Sequence, residues 1–259
     1  MTDGAGHRQA LADRIRGDHA RRARRRRSIA TVSIVSTVLL CLTVFGWLQL
    51  RGTADEQGDI AVPEHATDDY GFMLTPDLVT GTDTGDVPPV NVQVFEDFLC
   101  PSCKAFHEES GAFLAEQVAS GTISLTYQPF TFLLEASTDE YAQRAANAAA
   151  CVADDAGVVA YAAMHDLLLQ HQPAEGGPGL SDDQLLDFAT QAGADDIAAC
   201  IEERTFAPWV ERALEAGRAA DVTTTPTVRI GGMDVVRSTD GAESIPGPEE
   251  LQFAIEAAR

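Results

Sequence analysis

The stretch VNVQVFEDFLCPSCKAFHEE, residues 90–109, joins two periodicities. In its first half Val90, Val92 and Val94 alternate with polar residues, the pattern of a strand with one face against a core. After Cys100-Pro101-Ser102-Cys103 the period changes, and Ala105, Phe106, Phe113, Leu114 and Val118 recur at helical spacing. The sequence therefore predicts a strand over 89–95 and a helix from Pro101 to about Val118, beginning at a cysteine pair. Pro101 suits the first helical turn, where its missing N–H has no helical partner to lose. A cysteine at such a start meets unpaired backbone N–H groups and the positive end of the helix dipole, and both favour the thiolate. Cys100 is accordingly the candidate nucleophile and Cys103, one turn further in, the candidate resolving thiol, with Pro101 and Ser102 shaping the environment between them.

A CxxC is also half of many zinc sites. No second CxxC and no paired histidine ligands at finger spacing accompany this one, and His107, seven residues from Cys100, is expected on the helix surface. His165 and His171 are six apart, poor spacing for a shared ligand face, and are expected at the surface or an interface. A structural bridge across so short a loop would be strained. No metal and no cofactor is predicted. GxSxG, Walker and HExxH motifs are missing from the sequence.

The surrounding composition sets the compartment. The chain has 259 residues, 45% of them apolar, and a net charge of −22. Ten of its 18 basic residues, all arginines, lie at or before Arg51. Downstream of Arg51 the surface is strongly acidic and repels phosphate backbones, so nucleic-acid binding is not expected. From Ser28 to Leu50 the sequence runs 23 residues without a charge, behind Arg21, Arg22 and Arg24 to Arg27. That is long enough to cross a hydrocarbon core of about 30 Å. The arginines would hold the N-terminus in the cytoplasm and leave the acidic remainder outside. A cleaved signal peptide is the rival reading, against which stand the length of the apolar run and the lack of a small-x-small cleavage site. Cys41 falls within this segment as a small apolar residue. Cys100, Cys103, Cys151 and Cys200 would then lie in an oxidising space, an even number consistent with two pairs.

The expected organisation is a basic tail (1–27), a membrane anchor (28–50), a linker rich in Gly, Asp, Thr and Pro (51–84) and a folded domain (85–259). A short strand is expected within the linker near Tyr70 to Leu74. In the domain, a second strand (122–130) precedes a helical block from about Ser137 to Ala220. Ser137 and Ser181 each have an acidic or polar residue three positions on, a capping-box pattern. Then TPTVRIGG and MDVV form two short strands around a Gly-Gly turn, and a last amphipathic helix runs from about Pro248 to Ala258. The order is strand, helix, strand, helical insert, hairpin, helix, an α/β arrangement with one parallel and one antiparallel pair.

The CPSC motif combined with VTTTPTVRIGG (222–232) resembles the thioredoxin-fold oxidoreductases, specifically the DsbA-like branch, and FEDFLCPSCKAFHE is similar to its membrane-tethered Gram-positive members. The resemblance covers roughly residues 85–259. It implies a thioredoxin-like α/β fold with a helical insertion at about 131–220. It also implies a cis bond at Pro226 beside the CxxC, and a backbone at Thr225 that pairs with an extended substrate. The activity implied is thiol:disulfide exchange, with unfolded exported proteins as substrates and a quinone-linked membrane reoxidase of DsbB-like or VKOR-like type as partner. A reductant or isomerase, or a copper metallochaperone using the two thiolates, are the competing readings.

Two departures from that family stand out. The buried acid usual six residues before the first cysteine is replaced by Val94, and Glu96 or Asp97 is available in its stead, although each is first expected to be a solvated strand-end residue. DsbA has Pro-His between its cysteines where this chain has Pro-Ser, so Cys100 is expected to be less acidic, and its disulfide less oxidising, than DsbA's couple at about −120 mV. Cys151 and Cys200, both on the helical insert, are expected to form a structural disulfide, worth at most about 4 kcal/mol on chain-entropy grounds. Phe98, Phe130, Phe132 and Trp209 are expected in the core, with an apolar client surface as the alternative.

Overall fold

The structure, a computed structural model, describes residues 60–81, 88–239 and 242–259. The expected tail and anchor, and the linker apart from 60–81, lie outside the described residues. Among the described residues no helix is long and apolar enough to cross a membrane.

The centre of the fold is a five-stranded sheet. Its strands are β1 (Phe72–Leu74), β2 (Val90–Glu96), β3 (Ile123–Pro129), β4 (Thr227–Ile230) and β5 (Met233–Val235), in the order β1-β3-β2-β4-β5. β2 and β3 are parallel, in register Val90↔Ile123 to Glu96↔Pro129, and the crossover between them contains helix α2 (Pro101–Ala119). β1, β4 and β5 pair antiparallel with β3, β2 and β4 respectively. The strand expected within the linker is thus part of this sheet, upstream of the expected boundary at 85. Its aromatics hold it there: the Phe72 ring stacks on Tyr161 at 4.3 Å and lies 5.3 Å from Trp209. Five-residue helix α1 (Pro76–Thr80) follows it.

The helical insert consists of α3 (Tyr141–Gln170), α4 (Asp182–Ala192), α5 (Ala198–Glu202) and α6 (Ala207–Ala219). Ala142, Ala145, Ala146, Ala148, Ala149, Ala150 and Ala153 are all buried along the first half of α3, so neighbouring helices approach closely. α3 breaks at Gly157, whose φ of 83° and ψ of 179° suit glycine and few other residues. Ser181 caps α4 in a reciprocal box with Gln184. Ser137 behaves differently from expectation. Its hydroxyl accepts from the Tyr141 N–H at 2.8 Å, but the chain passes through Glu140 at φ 59° before α3 begins, so no Ser137–Glu140 box forms.

After the insert, α6 packs against β3, and a Cβ on its Gly217 would fall 2.6 Å from the Phe130 ring, a close approach that needs glycine. A hairpin of β6 (Arg237–Thr239) and β7 (Ala242–Ser244) was not anticipated from sequence. The closing helix α7 (Pro248–Ala257) packs near α2 and β5. Phe98, Phe130 and Trp209 are buried in the core, as expected, whereas Phe132 is 38% exposed.

Candidate active site

β2 delivers the chain into the core, where its last three residues are all buried. A turn follows, closed by the Cys100 N–H donating to the Asp97 carbonyl at 3.0 Å. Cys100 is the residue capping α2, with extended backbone and Pro101 in the first turn behind it. The Cys100 carbonyl accepts from the N–H groups of Cys103 (3.0 Å) and Lys104 (3.3 Å), so the first turn is built around it. Both thiols are free, and Cys103 lies entirely beneath the surface.

The Thr225–Pro226 bond is cis. It brings the Thr225 carbonyl 3.4 Å from Cys100 Sγ, within reach of its S–H. Residues 125 positions apart thus meet at one sulfur. The structure also joins Cys151 and Cys200 in a disulfide with S–S 2.01 Å, linking α3 to α5.

The two thiols are electrostatically unlike. Cys100 is drawn down from 9.0 to about 6, foremost by the hydrogen bond from Cys103, against the opposing effect of burial, and with further help from the N–H groups of Cys103 and Ser102. Cys103 is pushed well above 9.0, mainly by burial, then by its hydrogen bond with Cys100 and by the charge of Glu96. One thiol is thus set to carry negative charge and the other to hold a proton.

The acids beside the pair correct the expectation of solvated strand-end residues: Asp97 is fully buried and Glu96 is 7% exposed. Glu96, the last residue of β2, meets the second half of α3 at His165. The Asp97 carboxylate accepts from the N–H groups of Leu99 and Leu133, each at 2.9 Å, fixing the turn before Cys100. Burial nonetheless raises its pKa from 3.8 to about 6.

Glu96 Oε1 lies 3.1 Å from His165 Nε2, and Glu96 Oε2 has no partner. His165 is therefore a core residue, correcting its expected surface position. Burial alone would lower its pKa, but the charge of Glu96 and hydrogen bonds to Asp166 and Glu96 outweigh this and raise it to about 9. His107, expected on the surface, is half-buried, with its ring 5.5 Å from that of His165. His171 is exposed and lies against Phe188 at 4.8 Å.

A further contributor, missed from sequence, is Gln172, whose Nε2 donates to the carbonyls of Phe98 (3.0 Å) and Cys100 (2.9 Å). It sits just past the end of α3 in a run of glutamines and histidines, where nothing in the pattern distinguishes it.

A thiolate-prone sulfur over a buried, protonated one is an arrangement for exchanging a disulfide. The family described as thioredoxin matches residues 84–257. Among solved structures, the reduced disulfide bond oxidoreductase DsbG of Mycobacterium tuberculosis is similar at TM-score 0.61 and 30% identity, covering 74% of this chain and 89% of that one. The oxidised DsbA of the same organism is similar at TM-score 0.59 and 30% identity, covering 73% and 92%. MdbA, a thiol-disulfide oxidoreductase of Corynebacterium diphtheriae, shares the fold at TM-score 0.57 and 19% identity, covering 78% and 96%. A search of curated protein sequences found no match.

Proposed function

Because the chain belongs to the thioredoxin family, as a DsbA-like thiol:disulfide oxidoreductase, we propose that it donates the Cys100–Cys103 disulfide to exported proteins from a membrane anchor at 28–50. The observation that carries this reading is the inequality of the two thiols: Cys100 drawn to about 6 and Cys103 pushed up. A group that rests as a thiolate is a good leaving group, and stabilising the reduced form is what makes a disulfide oxidising.

In the proposed cycle a substrate thiolate attacks Cys100 Sγ, the Cys100–Cys103 bond breaks, and Cys103 leaves with the electron pair and takes up a proton. The substrate's second thiolate then attacks its own sulfur in the mixed disulfide and expels the Cys100 thiolate. The substrate is oxidised by two electrons and the enzyme reduced by two. Pro226 and the backbone of Thr225 hold the extended substrate beside Cys100. A quinone-linked membrane protein of DsbB-like or VKOR-like type would remove the two electrons, and the anchor would keep it near.

The depressed Cys100 lies between the about 3.5 of DsbA and the about 7 of thioredoxin, in keeping with Ser102 standing where DsbA has histidine. The test is the reduction potential of the Cys100–Cys103 couple in the full chain, equilibrated against glutathione buffers. A value above about −180 mV supports donation, and one near or below about −250 mV makes the protein a reductant.

A further inference from the structure

We propose that the cavity between α2 and the second half of α3 is a zinc site, formed by His107, His165 and Asp166 and backed by Glu96. The cavity measures about 510 Å³ and is lined by these four residues together with Phe106 and Tyr127. It is separate from the cysteine pair, neither member of which lines it.

The donor atoms are already gathered. One ligand atom from each of His107, His165 and Asp166 lies within 4.8 Å of the other two. Asp166 Oδ1 is 3.4 Å from His165 Nδ1 and 3.8 Å from His107 Nε2. Ligands at zinc bond lengths of 2.0–2.1 Å in a tetrahedron stand about 3.4 Å apart, so the two Asp166 distances are already close and the two imidazole nitrogens, within 4.8 Å of each other, would have to close by up to about 1.4 Å. Gly111, one turn beyond His107, leaves room for its ring: a Cβ there would lie 3.0 Å from His107 Nδ1.

The second layer fits the same role. A carboxylate only accepts, so Glu96 Oε1 at 3.1 Å takes a hydrogen from His165 Nε2, and a metal at Nδ1 would displace the second proton, the one Nδ1 shares with Asp166 at 3.4 Å. That is the carboxylate–histidine–metal arrangement by which ligating histidines are oriented. Glu96, one of the lining residues, supplies an independent sign: its Oε2 is buried and has no hydrogen-bond partner. An orphaned buried acceptor costs about 1–3 kcal/mol, and a water on a bound cation would offer it a donor. Two carboxylates flanking one imidazole require positive charge between them, which a dication answers as a proton does. Two imidazole nitrogens and one carboxylate oxygen suit zinc, and leave one position open, whereas calcium and magnesium prefer oxygen throughout.

The test uses the full chain in detergent with Cys100–Cys103 oxidised, so that neither thiolate can ligate. After stripping with EDTA, zinc chloride is titrated against a chromophoric chelator. One zinc per chain should bind with a Kd of about 1 μM or tighter. His107→Gln and Asp166→Asn, both at partly or largely exposed residues, should each weaken binding at least about tenfold without changing the metal-free unfolding midpoint, and Glu96→Gln should weaken it by about 10–100-fold. No zinc bound at about 100 μM, or binding indifferent to both His107→Gln and Asp166→Asn, overturns the site. Calcium binding with the same sensitivity to these variants overturns its assignment to zinc.

Discussion

Cys100 and Cys103 are three positions apart and carry free thiols, whereas Cys151 and Cys200 are 49 positions apart and bonded. The first pair sits where a strand ends and a helix begins, with the N–H groups of Ser102 and Cys103 and a buried partner thiol converging on one sulfur. The second pair lies within helices, among buried alanines, with Asn147 Nδ2 3.8 Å from Cys151 Sγ as its polar neighbour. The chemistry of a cysteine pair is thus decided less by the sulfurs than by which backbone groups are left over around them. At a helix start those groups are free to stabilise a thiolate, and inside a helix they are already spent.

The sharpest way to break this contrast is to disable each pair in turn. Cys100→Ala should lower the rate of disulfide transfer to a reduced model protein by at least about three orders of magnitude, while Cys151→Ala/Cys200→Ala should leave the rate within a fewfold. Equal losses in the two variants would erase the distinction. Stability should show the reverse. The Cys151→Ala/Cys200→Ala variant should lose up to about 4 kcal/mol in urea unfolding, and Cys100→Ala far less.

A smaller effect concerns pH. The folded reduced protein holds Cys100 as a thiolate above about 6, against 9.0 for an unperturbed thiol. Its pKa is depressed, so the contribution to the reduced fold is complete above pH 9.0 and is lost as the pH falls through about 6. Iodoacetamide should therefore alkylate Cys100 with a midpoint near pH 6 and leave Cys103 unmodified up to pH 9.0, as followed by mass spectrometry. A Cys100 midpoint near 8.5 would mean that the local groups do not act as described. The smallest effect tests the strut between the two regions: Gln172→Ala removes both hydrogen bonds to the 98–100 turn and should cost about 1–2 kcal/mol, measured in the same unfolding assay.

What the sequence made legible is what local pattern encodes. Alternation in 90–95, the change of period at Cys100, Pro101 in the first turn and the Gly231-Gly232 turn each carry their own physics within a few residues, and β2, α2 and the β4–β5 hairpin lie where these signals put them. The burial of Glu96, Asp97 and His165 was not legible, because it depends on α3 lying over the end of β2, a contact between segments some 69 positions apart. Charge normally marks solvent, and here that rule yields to tertiary packing. Apolar residues on both sides of the pair, in FEDFL, were the available hint. For β1, expected as a strand but assigned to the linker, membership of the sheet was hidden for a related reason: three residues are too short a run to assign to a sheet, and Phe72 is held there only by Tyr161 and Trp209 beside it. In β6–β7 the Asp240-Gly241 dipeptide was a usable hairpin signal.

The break at Gly157 leaves both halves of α3 in one interior. Upstream Cys151 and the buried alanines, and downstream Tyr161, Met164, Leu168 and Leu169, belong to the same core as the sheet strands. The insert and the thioredoxin core therefore meet along the length of α3 and not at a connecting loop. An excised insert would carry away a wall of the sheet's own interior, so the two parts share a single cooperative unfolding unit and neither is a transplantable module.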